Sequence, residues 1–111
     1  MDCLFCKFVS GQIPVEFIYS TQTAVAFRDI SPQAPTHILI VPKGHFPNAA
    51  ELAMSAPSVA AELLTIAADL AESEGLTGYR LVFNTGESAG QSVFHAHLHL
   101  LGGREFAWPP G

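Results

Sequence analysis

Short runs of aromatic and β-branched residues, set off by clusters of Ser, Thr, Pro and Gly, recur along this chain and mark out its elements. Val15 to Tyr19, Ala24 to Asp29 and His37 to Val41 read as three strands. The segment Ile30-Ser-Pro-Gln-Ala-Pro-Thr36 carries two prolines and little periodicity, so it reads as a shaped connection, and Pro42, Gly44 and Pro47 make a second one. Beyond it the period changes. Pro57 can open a helix along which Val59, Leu63, Ile66 and Leu70 recur at helical spacing, with Glu62, Asp69 and Glu72 elsewhere around the axis and Gly75 as its close. Tyr79 to Asn84 and Val93 to Leu101 read as a fourth and a fifth strand, joined by the polar loop Thr85-Gly-Glu-Ser-Ala-Gly90. At the amino end Phe5, Lys7 and Ser10 can share one face of a short helix that Gly11 ends before Pro14 imposes an extended exit. The prolines of the tail Trp108-Pro-Pro-Gly111 hold it extended.

Composition narrows the classes open to such a chain. Its 111 residues suit one domain, 1-111, and 49% apolar against 14% charged residues excludes disorder. A mean hydropathy of +0.29 is high for a small monomer and suggests apolar surface covered by a partner copy. Five Lys and Arg against ten Asp and Glu leave no cationic field for duplex nucleic acid. The longest apolar stretches fall far short of the roughly 20 residues of a membrane helix, so no span is expected. Asp2 and Lys7 break the pattern of a secretory signal, which makes the cytoplasm the expected compartment. There, the pair Cys3 and Cys6 reads as a metal clamp, a redox pair or two buried thiols rather than a structural disulfide.

The last strand carries the chemistry. His95, His97 and His99 alternate with Ala96, Leu98 and Leu100, so strand geometry turns the imidazoles to one face and an apolar row, Phe94 included, to the core. A lone histidine is usually a satisfied core or surface group, but three on one face point to metal ligation or to phosphate chemistry. At about 3.3 Å per residue, His95 and His99 stand roughly 13 Å apart along a strand, too far to clasp one ion. The row is therefore divided between tasks.

His95-Ala-His-Leu-His-Leu-Leu101, preceded by Gly90-Gln-Ser-Val93, resembles the signature of the histidine triad superfamily. Phe27-Arg-Asp-Ile-Ser-Pro-Gln-Ala-Pro-Thr-His37, Asn84, Leu101-Gly-Gly-Arg104 and Trp108-Pro-Pro-Gly111 resemble its Hint branch, the purine nucleoside phosphoramidases, in order and along nearly the whole chain. The resemblance implies an α+β fold, a five-stranded mostly antiparallel sheet with one long and one short helix, and a two-fold homodimer in which the tail with Trp108 reaches toward the neighbour's groove. It implies hydrolysis of a nucleoside 5′-phosphoramidate through a nucleotidyl-histidine intermediate, releasing nucleoside monophosphate, with no metal required for catalysis. His97 matches the nucleophile, His99 and His37 the histidines around the phosphate oxygens, and Ser92 the hydroxyl beside the leaving group. Gly90, Gln91 and Val93 match the phosphate loop, Asp29 the ribose ligand, Phe27 and Ile30 the base pocket, and Asn84 a further nucleotide contact. Taken singly, Asp29 and Asn84 read better as turn residues and Phe27 and Ile30 as core, and Ser92 alone carries no signal.

Cys3 and Cys6, with His45 and His95, match the ligands of a structural zinc in those members of the superfamily that carry one. Two thiolates and two imidazoles close a tetrahedral site with no open position. His95 would then serve the reaction only indirectly, by fixing the strand that presents His97. The same triad in other branches hydrolyses dinucleoside polyphosphates or transfers nucleotides. A nucleotide-binding or protein-interaction module with little turnover is the reading from a different class.

Overall fold

The computed structural model describes residues 2–111. In chain order the elements are helix α1 (Leu4–Ser10), strands β1 (Tyr19–Ser20), β2 (Ala24–Arg28) and β3 (Thr36–Pro42), helices α2 (Ala49–Ser55) and α3 (Pro57–Ser73), and strands β4 (Tyr79–Val82) and β5 (Leu98–Gly102). The five strands form one sheet in the order β1-β2-β3-β5-β4, and every neighbouring pair is antiparallel. The fold is α+β.

The sheet is covered on both faces, and β3 at its centre is buried along its whole length, which explains its unbroken apolar run. Ala24, Ala26, Ile38, Ile40, Leu98 and Leu100 pack on Leu52 of α2 and on Leu63, Ile66, Ala67 and Leu70 of α3. The opposite face presents Val25, Phe27, Leu39 and Val41 to Cys3 and Phe5 at the amino end. Gly11 ends α1 in the left-handed region at φ +82°, and Gly75 closes α3 at φ +72°, both where a Cβ is disfavoured. Among the described residues no helix is long and apolar enough to cross a membrane.

Three expectations need correction. A helix stands at Ala49–Ser55 where only a connection was expected, so the described residues hold three α-helices rather than two, with a 3-10 turn at Glu87–Ala89 besides. Its signal is a capping pair: the Asn48 side chain accepts from the Glu51 N–H at 2.9 Å, three residues on. The first strand shrinks to Tyr19–Ser20: in its register with β2, Val15 and Glu16 would fall opposite Ile30 and Asp29, past the end of β2 at Arg28. The last strand begins only at Leu98. In the β3–β5 register Ala96 would fall opposite Pro42, which has no N–H to give, and the Ala96 N–H instead reaches the Phe46 carbonyl at 2.6 Å. His95 and His97 therefore precede the ladder, although Ala96, Leu98 and Leu100 still face the helices. Phe94, expected in that core row, is 51% exposed.

Candidate active site and metal centre

A cleft of about 330 Å³ opens on the α1 side of the sheet. Of the residues singled out in the sequence, Phe27, Asp29, Ile30 and Asn84 line it together with Gly90, Ser92, Val93, His97 and His99. Ile30 is a rim residue, 97% exposed. Sequence reasoning missed most of the apolar wall, which comes from Leu4, Phe5 and Phe8 of α1 with Val15 and Leu39. The available signal was the spacing of Leu4 and Phe8, one helical turn apart on either side of Cys6.

Three expected residues stand elsewhere. Gln91 is buried behind the loop, where its Nε2 donates to the Pro47 and Val93 carbonyls at 2.7 and 3.1 Å and its Oε1 accepts from the Gly86 N–H at 2.9 Å. It shapes the loop rather than facing the cleft. Trp108 is 83% exposed and does not line the cleft. His37 lies behind His99, not on the cleft surface. Gly90 sits at φ +92°, so a side chain there would strain the turn that brings Ser92 round to the imidazoles.

The hydrogen bonds determine which nitrogen of each cleft imidazole carries its proton. The Gln33 N–H donates to His37 Nδ1 at 3.1 Å, so neutral His37 holds its proton on Nε2. That N–H donates to His99 Nδ1 at 2.9 Å, which leaves the His99 proton on Nε2. The His99 Nε2 is buried without a partner among the described residues, a donor waiting for an acceptor. His97 is arranged the other way round: its Nδ1–H donates to the His95 carbonyl at 2.7 Å, and Nε2 keeps its lone pair. The His97 and His99 rings are 5.0 Å apart, so a lone pair and a directed N–H stand side by side.

Burial favours the neutral form of His99 and His37. Desolvation, aided by the neighbouring His97 and His37, pushes His99 down to about 4. Burial also lowers His37, against an opposing pull from Asp29. Asp29 accepts from the Ser31 N–H at 2.8 Å through Oδ1, the turn contact expected of it, and places Oδ2 3.6 Å from His37 Nε2. Arg28 borders the cleft, but its guanidinium is held by Glu74 at 2.9 and 3.1 Å. An anion in this cleft therefore meets the unpartnered Nε2–H of neutral His99 rather than a free guanidinium.

The second cluster has the opposite polarity. His95 is fully buried, and its Nε2–H donates to the Pro42 carbonyl at 2.8 Å, which turns the Nδ1 lone pair inward. That Nδ1 lies 3.4 Å from Cys3 Sγ, 3.6 Å from Cys6 Sγ and 3.2 Å from His45 Nδ1, while Cys6 Sγ is 3.4 Å from His45 Nδ1. A tetrahedral ion with bonds of roughly 2.0 to 2.3 Å spaces its ligand atoms by roughly 3.3 to 3.8 Å, so the four residues fit one and can hold a metal ion. Burial and the neighbouring Cys3 raise the Cys6 thiol, a penalty that a bound cation would reverse. Asp29, His37 and His99 also lie close enough for three ligands, but the Gln33 N–H on His37 Nδ1 leaves a proton where the metal would bind. That group is a hydrogen-bond chain.

With the geometry in view, the comparisons agree. Residues 10–106 match the HIT domain. A HIT family hydrolase from Legionella pneumophila superposes with a TM-score of 0.94 at 49% identity, covering 99% of this chain and all of that one. A second, from Clostridium thermocellum, gives 0.90 at 40% identity over 96% of this chain and 94% of its own. The purine nucleoside phosphoramidase of Escherichia coli is 44% identical over 105 residues, 93% of this chain and 88% of that protein. An uncharacterized HIT-like protein of Synechococcus elongatus is 46% identical over 99% of this chain and 97% of its own length. The chain belongs to the HIT, or histidine triad, family.

Proposed function

We propose that this protein is a nucleotide hydrolase that cleaves the P–N bond of nucleoside 5′-phosphoramidates, with His97 as nucleophile. The observation that carries the reading is the pairing of a tautomer-locked His97 with the unpartnered Nε2–H of His99. His97 Nε2 attacks phosphorus, the bond to the leaving amine breaks, and the amine takes a proton that solvent water supplies through Ser92 or a neighbouring histidine. Water then attacks the nucleotidyl-imidazole, releases nucleoside monophosphate and restores His97. His99 and the amides of Ser92 and Val93 stabilise the equatorial oxygens, since the Gly90 and Gln91 amides already donate to the Glu87 and Gly86 carbonyls, with His37 holding His99 in register. The base lies against Phe27, Ile30 and the α1 wall, Asn84 makes a further nucleotide contact, and Asp29 receives the ribose hydroxyls. Similarity to the Escherichia coli phosphoramidase supports this substrate class.

The metal at Cys3, Cys6, His45 and His95 is zinc in this reading. It ties the amino terminus to the sheet and takes no part in bond breaking. A cytoplasmic homodimer completes the proposal. It is supported by the unpaired outer edge of β4, where Tyr79 and Leu81 are exposed, and by the exposed Leu64 of α3.

Brief mixing with adenosine 5′-phosphoramidate followed by intact-mass measurement tests the chemistry. Wild type is expected to show a transient adduct of one nucleotidyl group and to release adenosine monophosphate, and His97→Ala to show neither. Equal turnover by the variant refutes the nucleophile. Nucleotide binding without product from wild type favours the binding-module reading. Adenosine monophosphate released faster from a dinucleoside polyphosphate than from the phosphoramidate assigns the chain to another branch. A 2′-deoxynucleotide substrate is expected to lose specificity constant through Asp29, and an unchanged value refutes that contact.

A further inference from the structure

Helix α1 belongs to both clusters at once. Cys3 and Cys6 bracket Leu4 and Phe5, and those two side chains form part of the cleft wall. The Phe5 ring meets His97 edge-on, with centroids 5.0 Å apart at 83°, and meets His95 at 5.9 Å. It also packs on Phe27 at 5.6 Å. Because α1 shares no backbone ladder with the sheet, side chains attach it: these rings, the Phe8 ring edge-on to Phe27 at 5.3 Å, and the cysteines. A second link runs through His95 itself, whose ring faces the cysteines while its carbonyl accepts the His97 Nδ1–H. Without a cation, the cysteines reach His45 and His95 only through weak S–H donors at 3.4 Å.

We propose that metal occupancy at Cys3, Cys6, His45 and His95 sets both the nucleotide affinity of the cleft and the tautomer of His97. The four ligands are thus positioning residues for the reaction, acting through Phe5 and through the His95 carbonyl. A filled site clamps α1 against Phe27 and holds the carbonyl under His97 Nδ1. An emptied site loosens the wall and lets the His97 ring turn. The inference rests on reading the cleft as a nucleotide site, and its test separates the two claims.

Zinc-loaded and chelator-stripped full-length protein would be compared by calorimetric titration with adenosine 5′-monophosphate and by 15N spectra of the histidine rings, with circular dichroism checking the fold. Stripping is expected to raise Kd at least tenfold and to remove the Nδ1–H signature of His97. In zinc-loaded Phe5→Ala the affinity should already be low, and stripping should weaken it further by less than about threefold, because the wall that transmits the effect is gone. The same Kd and the same His97 tautomer in folded, stripped wild type overturn the proposal, as does failure to take up one zinc per chain. If the stripped protein unfolds, zinc-loaded Phe5→Ala decides: wild-type affinity there overturns it. If zinc-loaded wild type does not bind the nucleotide, the nucleotide reading fails, and the response of the His97 signature to zinc still judges the coupling.

Discussion

His95 and His97 are two residues apart and do opposite jobs. His95 gives its Nε2–H to the Pro42 carbonyl and turns a lone pair toward two thiols and a second imidazole. His97 gives its Nδ1–H to a carbonyl and turns a lone pair toward an open cleft. In each case one ring nitrogen is spent on a backbone oxygen, and what faces the other decides the chemistry. His99 is the third variant, forced by His37 to present a proton instead of a lone pair. A histidine in such a row has no role of its own until its second nitrogen is accounted for.

Exchanging the losses is the strongest way to break this comparison. His97→Ala should lower kcat by about a thousandfold or more while zinc content and Tm hold. His95→Ala should do the reverse in stability, abolishing stoichiometric zinc and lowering Tm by on the order of 10 °C. Metal analysis and calorimetry on both variants check it, and a normal zinc content in His95→Ala would dissolve the distinction between the clusters. His37→Phe, which removes the donor that orients His99, should cost roughly tenfold to a hundredfold in kcat with zinc retained. Steady-state kinetics and metal analysis read that out.

A smaller effect sharpens the contrast through pH. The folded-state value of His99, about 4, lies below its ordinary 6.5, so on acidification the unfolded chain takes up its proton first. The stability that depends on neutral His99 is full above about 6.5 and is lost as pH falls toward 4. Zinc release also destabilises at low pH, and His99→Gln isolates the difference: its Tm should fall less steeply than that of wild type between pH 6.5 and 4.5. Parallel slopes would show that His99 does not titrate as its burial requires.

Much of the fold was legible because its determinants are local. The 3.6-residue recurrence of Leu63, Ile66 and Leu70 and the closing Gly75 place α3. The period-two row Ala96, Leu98, Leu100 shows its core face even where the ladder has stopped. The Asn48–Glu51 cap was legible too, and overlooked because Pro42, Gly44 and Pro47 dominate their surroundings. The site was legible as a set of residue types, since most of them meet at the cleft. Its apolar wall was not, because Leu4, Phe5 and Phe8 lie far along the chain from the triad they cover.

What the sequence by itself determined is the inventory: five strands, the long helix, a histidine row too extended for one ion, and two cysteines able to join part of it. Spacing alone carries those facts. The tertiary structure decided where the last ladder stops, since that depends on Pro42 lacking an N–H opposite Ala96. It decided that α1 walls the cleft, and which nitrogen of each imidazole keeps its lone pair. Those outcomes depend on burial and on the choice of hydrogen-bond partner, and both are set by groups brought together from across the chain.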